Sequence, residues 1–219
     1  MLDIGARDGF ISKLLTDYFD SVTALDLEKP KFDFPGVVPV RGDVTGLDFP
    51  DNAFEVVCCL EVLEHIDPRD LPQACREIAR VARHEVLIGV PNRQDIRIGQ
   101  TTCSVCRKQT PPWGHVNSFD EERMLRLFPG MQPVSITFVG ETKERTNALS
   151  AFLLDLAGNP WGTYSQEEPC RFCGAGLVAP AHNSLPQRAL AHLAARLNQI
   201  QIRLGAPMPI WMHLLFHKP

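Results

Sequence analysis

Apolar and polar positions alternate along the chain with two periods, and the order of those periods predicts an α/β fold. Residues 1–4 are apolar around one acid and run into Gly5-Ala6-Arg7-Asp8-Gly9, after which Phe10, Ile11, Leu14, Leu15, Tyr18 and Phe19 recur at helical spacing. Ser21 to Leu27 and Val37 to Val40 read as short strands, and Phe54 to Leu60 as an apolar run suited to a central parallel strand covered on both faces. Asp70 to Arg83 puts Leu71, Ala74, Cys75, Ile78, Ala79 and Ala82 on one helical face, with Cys75 a core thiol. Val86 to Val90 is the next strand. Ser118-Phe119-Asp120-Glu121 reads as a capping box opening a helix through Phe128, and Gln132 to Val139 and Ile210 to His217 are further strands.

The alternation breaks twice. Residues 93–117 replace a short strand-to-helix link, and residues 141–206 separate the last two strands. The second insertion holds a helix around Asn147 to Ala157 and another near Pro186 to Leu204. On that second helix Leu190, Leu193, Leu197, Ile200 and Leu204 are expected inward, and Arg188, His192, Arg196 and Arg203 on a solvated face. The expected organisation is therefore 1–92 as a nucleotide-type half, 93–117 and 141–206 as insertions, 118–140 as a core helix and strand, and 207–219 as the final strand.

The turn at Gly5 to Gly9 lets backbone N–H groups approach a ligand at the mouth of a helix. On its own it is equally a tight strand-to-helix connection. Asp26 ends the second strand about 20 residues further on, where a carboxylate can hold both hydroxyls of a ribose. Asp43 can accept from an exocyclic amine, or be an ordinary turn aspartate. Glu61 to Ile66 follows the central strand at its carboxyl end, where ligands sit in open α/β sheets, and this makes His65 a candidate base or a structural histidine.

The set LDIGARDG, TALDLE and VRGDVTGLDFPDNAFEVVCCLEVLEHI resembles the class I S-adenosylmethionine-dependent methyltransferases of the type 11 branch, over roughly Met1 to Asn92. The resemblance implies a Rossmann-like sheet, mostly parallel with its last strand antiparallel and helices on both faces. It implies S-adenosylmethionine held by Asp3, Ile4, Gly5, Ala6 and Gly9 at its methionine part. Asp26 and Leu27 would be at the ribose, Asp43 and Val44 at the adenine, and Leu60 and Glu61 beside the methionine end. Arg7 stands where many members have a glycine. Members usually carry helices before the first strand, so the cofactor's cover is expected from elsewhere in the chain or from residues before Met1.

Cys103 and Cys106, with Cys170 and Cys173, are two CxxC pairs among seven cysteines. Two such knuckles complete a tetrahedral four-sulfur zinc site, which leaves no position for a catalytic water, so a structural zinc bracing a small subdomain above the cofactor is expected. The alternatives are free thiols or a disulfide pair. His115, on the loop Trp113-Gly114-His115, is a second candidate base or a loop anchor.

Hydrophobic residues at 44% and charged residues at 22% are ordinary for a soluble globular protein. No apolar run spans a bilayer and no signal pattern opens the chain, so a cytoplasmic protein is expected. The net charge of −4 disfavours a nucleic-acid substrate. The function expected is methyl transfer to a small-molecule acceptor. Its rivals are a zinc-stabilised binding or regulatory protein that has lost catalysis, and an RNA methyltransferase.

Overall fold

The computed structural model describes residues 1–181 and 184–219. Two compact units are formed, one by Met1–Asn92, Phe119–Gly140 and Ile210–Pro219, the other by Arg93–Ser118 and Glu141–Pro209.

The first unit is built on a seven-stranded sheet. Its strands are β1 (Leu2–Ile4), β2 (Val22–Asp26), β3 (Val37–Arg41), β4 (Phe54–Leu60), β5 (Ala82–Pro91), β8 (Gln132–Thr142) and β9 (Met208–His217), in the order β3-β2-β1-β4-β5-β9-β8. β1 pairs in parallel with both β2 and β4, β4 with β5, and β9 runs antiparallel to β5. This is the expected mostly parallel Rossmann-like methyltransferase sheet. β1 is buried at every position because it has a neighbour on each side and layers on both faces. The order reverses between β1 and β4, so the loops that leave their carboxyl ends diverge and open a crevice, the usual ligand position of such sheets.

Helix α2 (Leu71–Val81) buries Leu71, Ala74, Cys75 and Ile78 of the expected face together with Val81, while Ala79 is half-buried and Ala82, expected on the helix, opens the next strand instead. β5 starts directly after it, and Lys218 donates from Nζ to the carbonyls of Ala79 and Ala82, tying the final residues to that junction. Helix α3 (Glu121–Leu127) is capped by Asp120, whose carboxylate accepts from Arg123 N at 2.9 Å, instead of by the expected Ser118 box. A bridge from Asn92 to Phe119 holds the chain extended there and moves the helix start two residues on.

Helix α1 (Phe10–Leu15) is short, and its apolar residues Phe10, Leu14 and the following Tyr18 are exposed while Ser12 is fully buried. Ser12 Oγ donates to the buried Asp3 carboxylate, which turns the polar position inward.

The second unit carries the hairpin β6 (Thr101–Thr102) and β7 (Gln109–Thr110), and the helices α4 (Ala148–Leu156) and α5 (Leu185–Leu204). The buried residues of α5 are Ala191 and Ala194, whereas Leu193, Ile200 and Leu204 are exposed. This overturns the expected inward leucine face. α5 packs on α4, and small side chains suit the inner side of a helix pair, so the alanines, and not the leucines, face inward.

Candidate functional site

Gly5, Arg7 and Gly9 all have positive φ (82°, 43° and 78°), which bends the backbone sharply after β1. Gly5 N and Ala6 N both donate to Leu25 O, and Arg7 N donates to Asp26 Oδ2 at 2.8 Å. The turn and the end of β2 therefore share one place. Asp26 Oδ1 has no partner among the described residues, so the carboxylate keeps an acceptor for a ligand hydroxyl. Two side chains line the glycines closely. A Cβ on Gly5 would clash with Val62 Cγ2, and one on Gly9 would come 2.5 Å from the Phe32 ring. Phe32 itself stacks on Phe34 at 4.9 Å.

Asp3 lies at the centre of β1, and burial pushes its carboxyl pKa up, opposed by the hydrogen bond from Ser12. Ile4 and Ala6 are buried, so what they offer a ligand is backbone. Leu27 is exposed beyond Asp26. Asp43 is exposed, and its Oδ1 accepts from Thr45 N and Thr45 Oγ1 in its own turn, whereas Val44 packs into the core. Leu60 ends β4 against Gly89, and Glu61 follows with φ 54°. Glu61 Oε2 accepts from Trp211 Nε1 at 3.2 Å.

His65 is exposed at the end of the 3-10 turn Leu63–His65. Its neighbour Glu64 is fully buried, and neither carboxylate oxygen has a hydrogen-bond partner among the described residues. Burial pushes Glu64 up to about 8, and repulsion from Glu61 adds to the shift. No sequence signal separated Glu64 from the rest of its motif. Nor did any mark Ser12, Phe32 and Trp211, because each is brought in by tertiary packing from another segment.

In the second unit His115 is buried, with Nδ1 at 2.7 Å from Gln94 Oε1 and its ring beside Trp113. The four cysteines meet. Cys103 and Cys173 sulfurs are 3.7 Å apart, Cys106 and Cys170 sulfurs 3.6 Å, and all four lie within 4.8 Å of one another. Zinc–sulfur bonds of about 2.3 Å in a tetrahedron require S···S edges of about 3.8 Å, whereas a disulfide requires about 2.05 Å.

The two knuckles share one geometry. Cys103 N bonds Lys108 O as Cys170 N bonds Ala175 O, and Arg107 N bonds Cys103 O as Gly174 N bonds Cys170 O. Arg107 and Gly174 both have positive φ. Burial raises the Cys170 thiol, but N–H groups of Phe172 and Cys173 and the Thr110 hydroxyl hold it down to about 6. The donor set, spacing and supporting hydrogen bonds fit a four-thiolate zinc ion. Cys58 and Cys75, by contrast, are pushed up to about 12 by burial and are core thiols.

Residues 2–88 match the family model described as a methyltransferase domain. No curated protein matches the chain at a significant level. Among solved structures, a SAM-dependent methyltransferase from Archaeoglobus fulgidus is 16% identical with a TM-score of 0.56, covering 99% of this chain and 85% of that one. The 1,6-didemethyltoxoflavin-N1-methyltransferase of Burkholderia thailandensis, solved with S-adenosylhomocysteine, is 20% identical with a TM-score of 0.51, over 64% of this chain and 63% of that one. The [4+2]-cyclase SpnF is 16% identical with a TM-score of 0.52, over all of this chain and 73% of that one. At these identities the likeness is one of fold, and the fold hosts more than one chemistry. No helix among the described residues is long and apolar enough to cross a membrane.

Proposed function

We propose that the chain is a class I S-adenosylmethionine-dependent methyltransferase that methylates a small molecule. The observation that carries this is the Asp26 carboxylate bonded to the glycine turn with one oxygen left over, at the carboxyl edge of β1 and β2. The methyltransferase-domain match over residues 2–88 supports the same assignment. Bound S-adenosylmethionine would supply an electrophilic methyl group on a sulfonium.

The residues of the chain do the rest. Asp26 holds the ribose hydroxyls through Oδ1, while its Oδ2 keeps the turn bent. Gly5, Ala6 and Gly9 admit the methionine part along the backbone, with Asp3, Ile4, Leu60 and Glu61 around it. Leu27 flanks the ribose, and Asp43 offers its remaining oxygen to the adenine amine above Val44. Methyl transfer is an in-line displacement, so alignment supplies much of the acceleration. Where the acceptor must lose a proton, His65 is the candidate base in the first unit and His115 in the second. Cys103, Cys106, Cys170 and Cys173 hold one structural zinc, and that zinc fixes the fold of the second unit.

Incubation of the protein with methyl-tritiated S-adenosylmethionine and a deproteinised metabolite extract tests the assignment. Label passing into the small-molecule fraction supports it. Label passing into added RNA would overturn the acceptor class, and label remaining on the donor in every mixture would overturn the activity.

A further inference from the structure

A cavity of about 440 Å³ lies within the second unit, in the range of small-molecule sites. It is walled by four segments: residues 97–100, residues 144–146, the end of α4 with the turn after it, and the C-terminal half of α5. The walls are pinned. Asp95 grips Arg97 at Nε (2.7 Å) and Nη2 (2.9 Å) and also accepts from Thr146 N (3.0 Å) and Oγ1 (2.6 Å). Thr163 N donates to Gly99 O at 2.7 Å, and a Cβ on Gly162 would clash with Gln100 O, so the third wall touches the first backbone to backbone. Asn159 Nδ2 ties Thr102 Oγ1 to Asp155 Oδ1, linking the cavity to the β6–β7 hairpin that carries the first cysteine knuckle. This space is held open by its own hydrogen bonds.

One of its two cations has no ion-pair partner among the described residues. Asp95 neutralises Arg97, but no carboxylate among the described residues pairs with Arg145, whose Nη2 reaches only Ala206 O at 2.9 Å. Arg145 Nε and Asn198 Oδ1 belong to lining side chains and are both buried with no hydrogen-bond partner. Gln201 Oε1 on α5 is buried and unpartnered as well. Each such group is costly to leave unpaired unless another molecule satisfies it, and of the three side chains Arg145 and Asn198 line the cavity. Ile98, Leu154, Trp161 and Ile202 make the remaining wall apolar. Glu144 at the rim disfavours a second negative charge.

We propose that this cavity binds a small monocarboxylate carrying an N–H or O–H donor beside its carboxylate and an apolar side group, that is, an α-amino or α-hydroxy acid. Arg145 takes the carboxylate, Asn198 accepts from the neighbouring donor, and the apolar wall receives the side group. The site stands apart from the methyltransferase assignment and does not depend on it.

Titration calorimetry and thermal melting of the full zinc-loaded chain test this, with L-phenylalanine, 3-phenyllactate, hydrocinnamate and phenylalanine methyl ester as probes. The first two raise Tm and bind saturably. Hydrocinnamate, lacking the donor, and the ester, lacking the anion, bind at least about tenfold more weakly, each having lost a charged or buried hydrogen bond. Arg145→Met and Asn198→Leu abolish binding while zinc content is retained. Absence of binding by both acids at millimolar concentration overturns the proposal, as does unchanged binding in Arg145→Met. Should either variant lose its zinc and its fold, the order of the four probes on the wild-type chain decides.

Discussion

The Arg7 amide donates to Asp26 Oδ2 at 2.8 Å, so a carboxylate at the end of β2 closes the turn that follows β1 and still presents a second oxygen. Asp26→Asn keeps an acceptor for Arg7 but gives up the charge. S-adenosylhomocysteine should then bind about tenfold more weakly, and about a hundredfold more weakly in Asp26→Ala, because hydrogen bonds to ionised groups are roughly twice as strong as neutral ones. Calorimetric titration of the three proteins measures this, and equal affinities would remove Asp26 from the ribose site.

Gly9 combines φ 78° with a Phe32 ring 2.5 Å from where a Cβ would stand. Gly9→Ala is expected to lower stability by about 1–3 kcal/mol in urea unfolding, through strained backbone plus overpacking. Adding Phe32→Ala should return the overpacking part and leave the backbone part, a non-additivity that a double-mutant cycle reads directly.

The four thiolates predict about one zinc per chain by elemental analysis. Cys106→Ser or Cys170→Ser should lose most of it. Chelation should abolish hydrogen-exchange protection in residues 93–118 and 141–209 while protection persists in β1, β4 and β5, since the metal closes only the second unit. Full protection in metal-free protein would count against a structural zinc.

Glu64 has its folded pKa raised to about 8, burial being the main cause. A carboxyl with a raised folded pKa binds its proton more tightly in the native state, so stability falls as pH rises from the unfolded value near 4.5 to about 8 and is flat above. The slope in that window is at most about 1.4 kcal/mol per pH unit. Glu64→Gln removes this component, so the stability difference between the variant and wild type should grow from pH 5 to 8 in favour of the variant. A constant difference would mean that Glu64 is ionised throughout.

Much of the fold was legible because local period and burial agree. The apolar run Phe54 to Leu60 is β4 residue for residue, and Leu71, Ala74, Cys75 and Ile78 of α2 face the core as their spacing requires. Each cysteine pair was legible from its spacing, since a CxxC knuckle needs only its own backbone, whereas joining the two pairs into a quartet needed the topology of the insertions as well. Where the sequence misled, tertiary contacts outweighed local pattern. Leu193, Ile200 and Leu204 have helical spacing, but Ala191 and Ala194 win the buried face because a close helix pair selects small side chains. Ser12 is drawn inward by Asp3 against its own polarity. The cavity could not be read at all: Arg97, Arg145, Asn159 and Asn198 come from four separate segments with no shared motif.

A crystal structure of the zinc-loaded protein with S-adenosylhomocysteine is the most direct test of the cofactor site. Density for the adenosine with its ribose hydroxyls on Asp26 and its amino-acid tail along Gly5 to Gly9 is the predicted result. A saturating soak that leaves that turn empty, or that puts the ligand elsewhere on the chain, would contradict it.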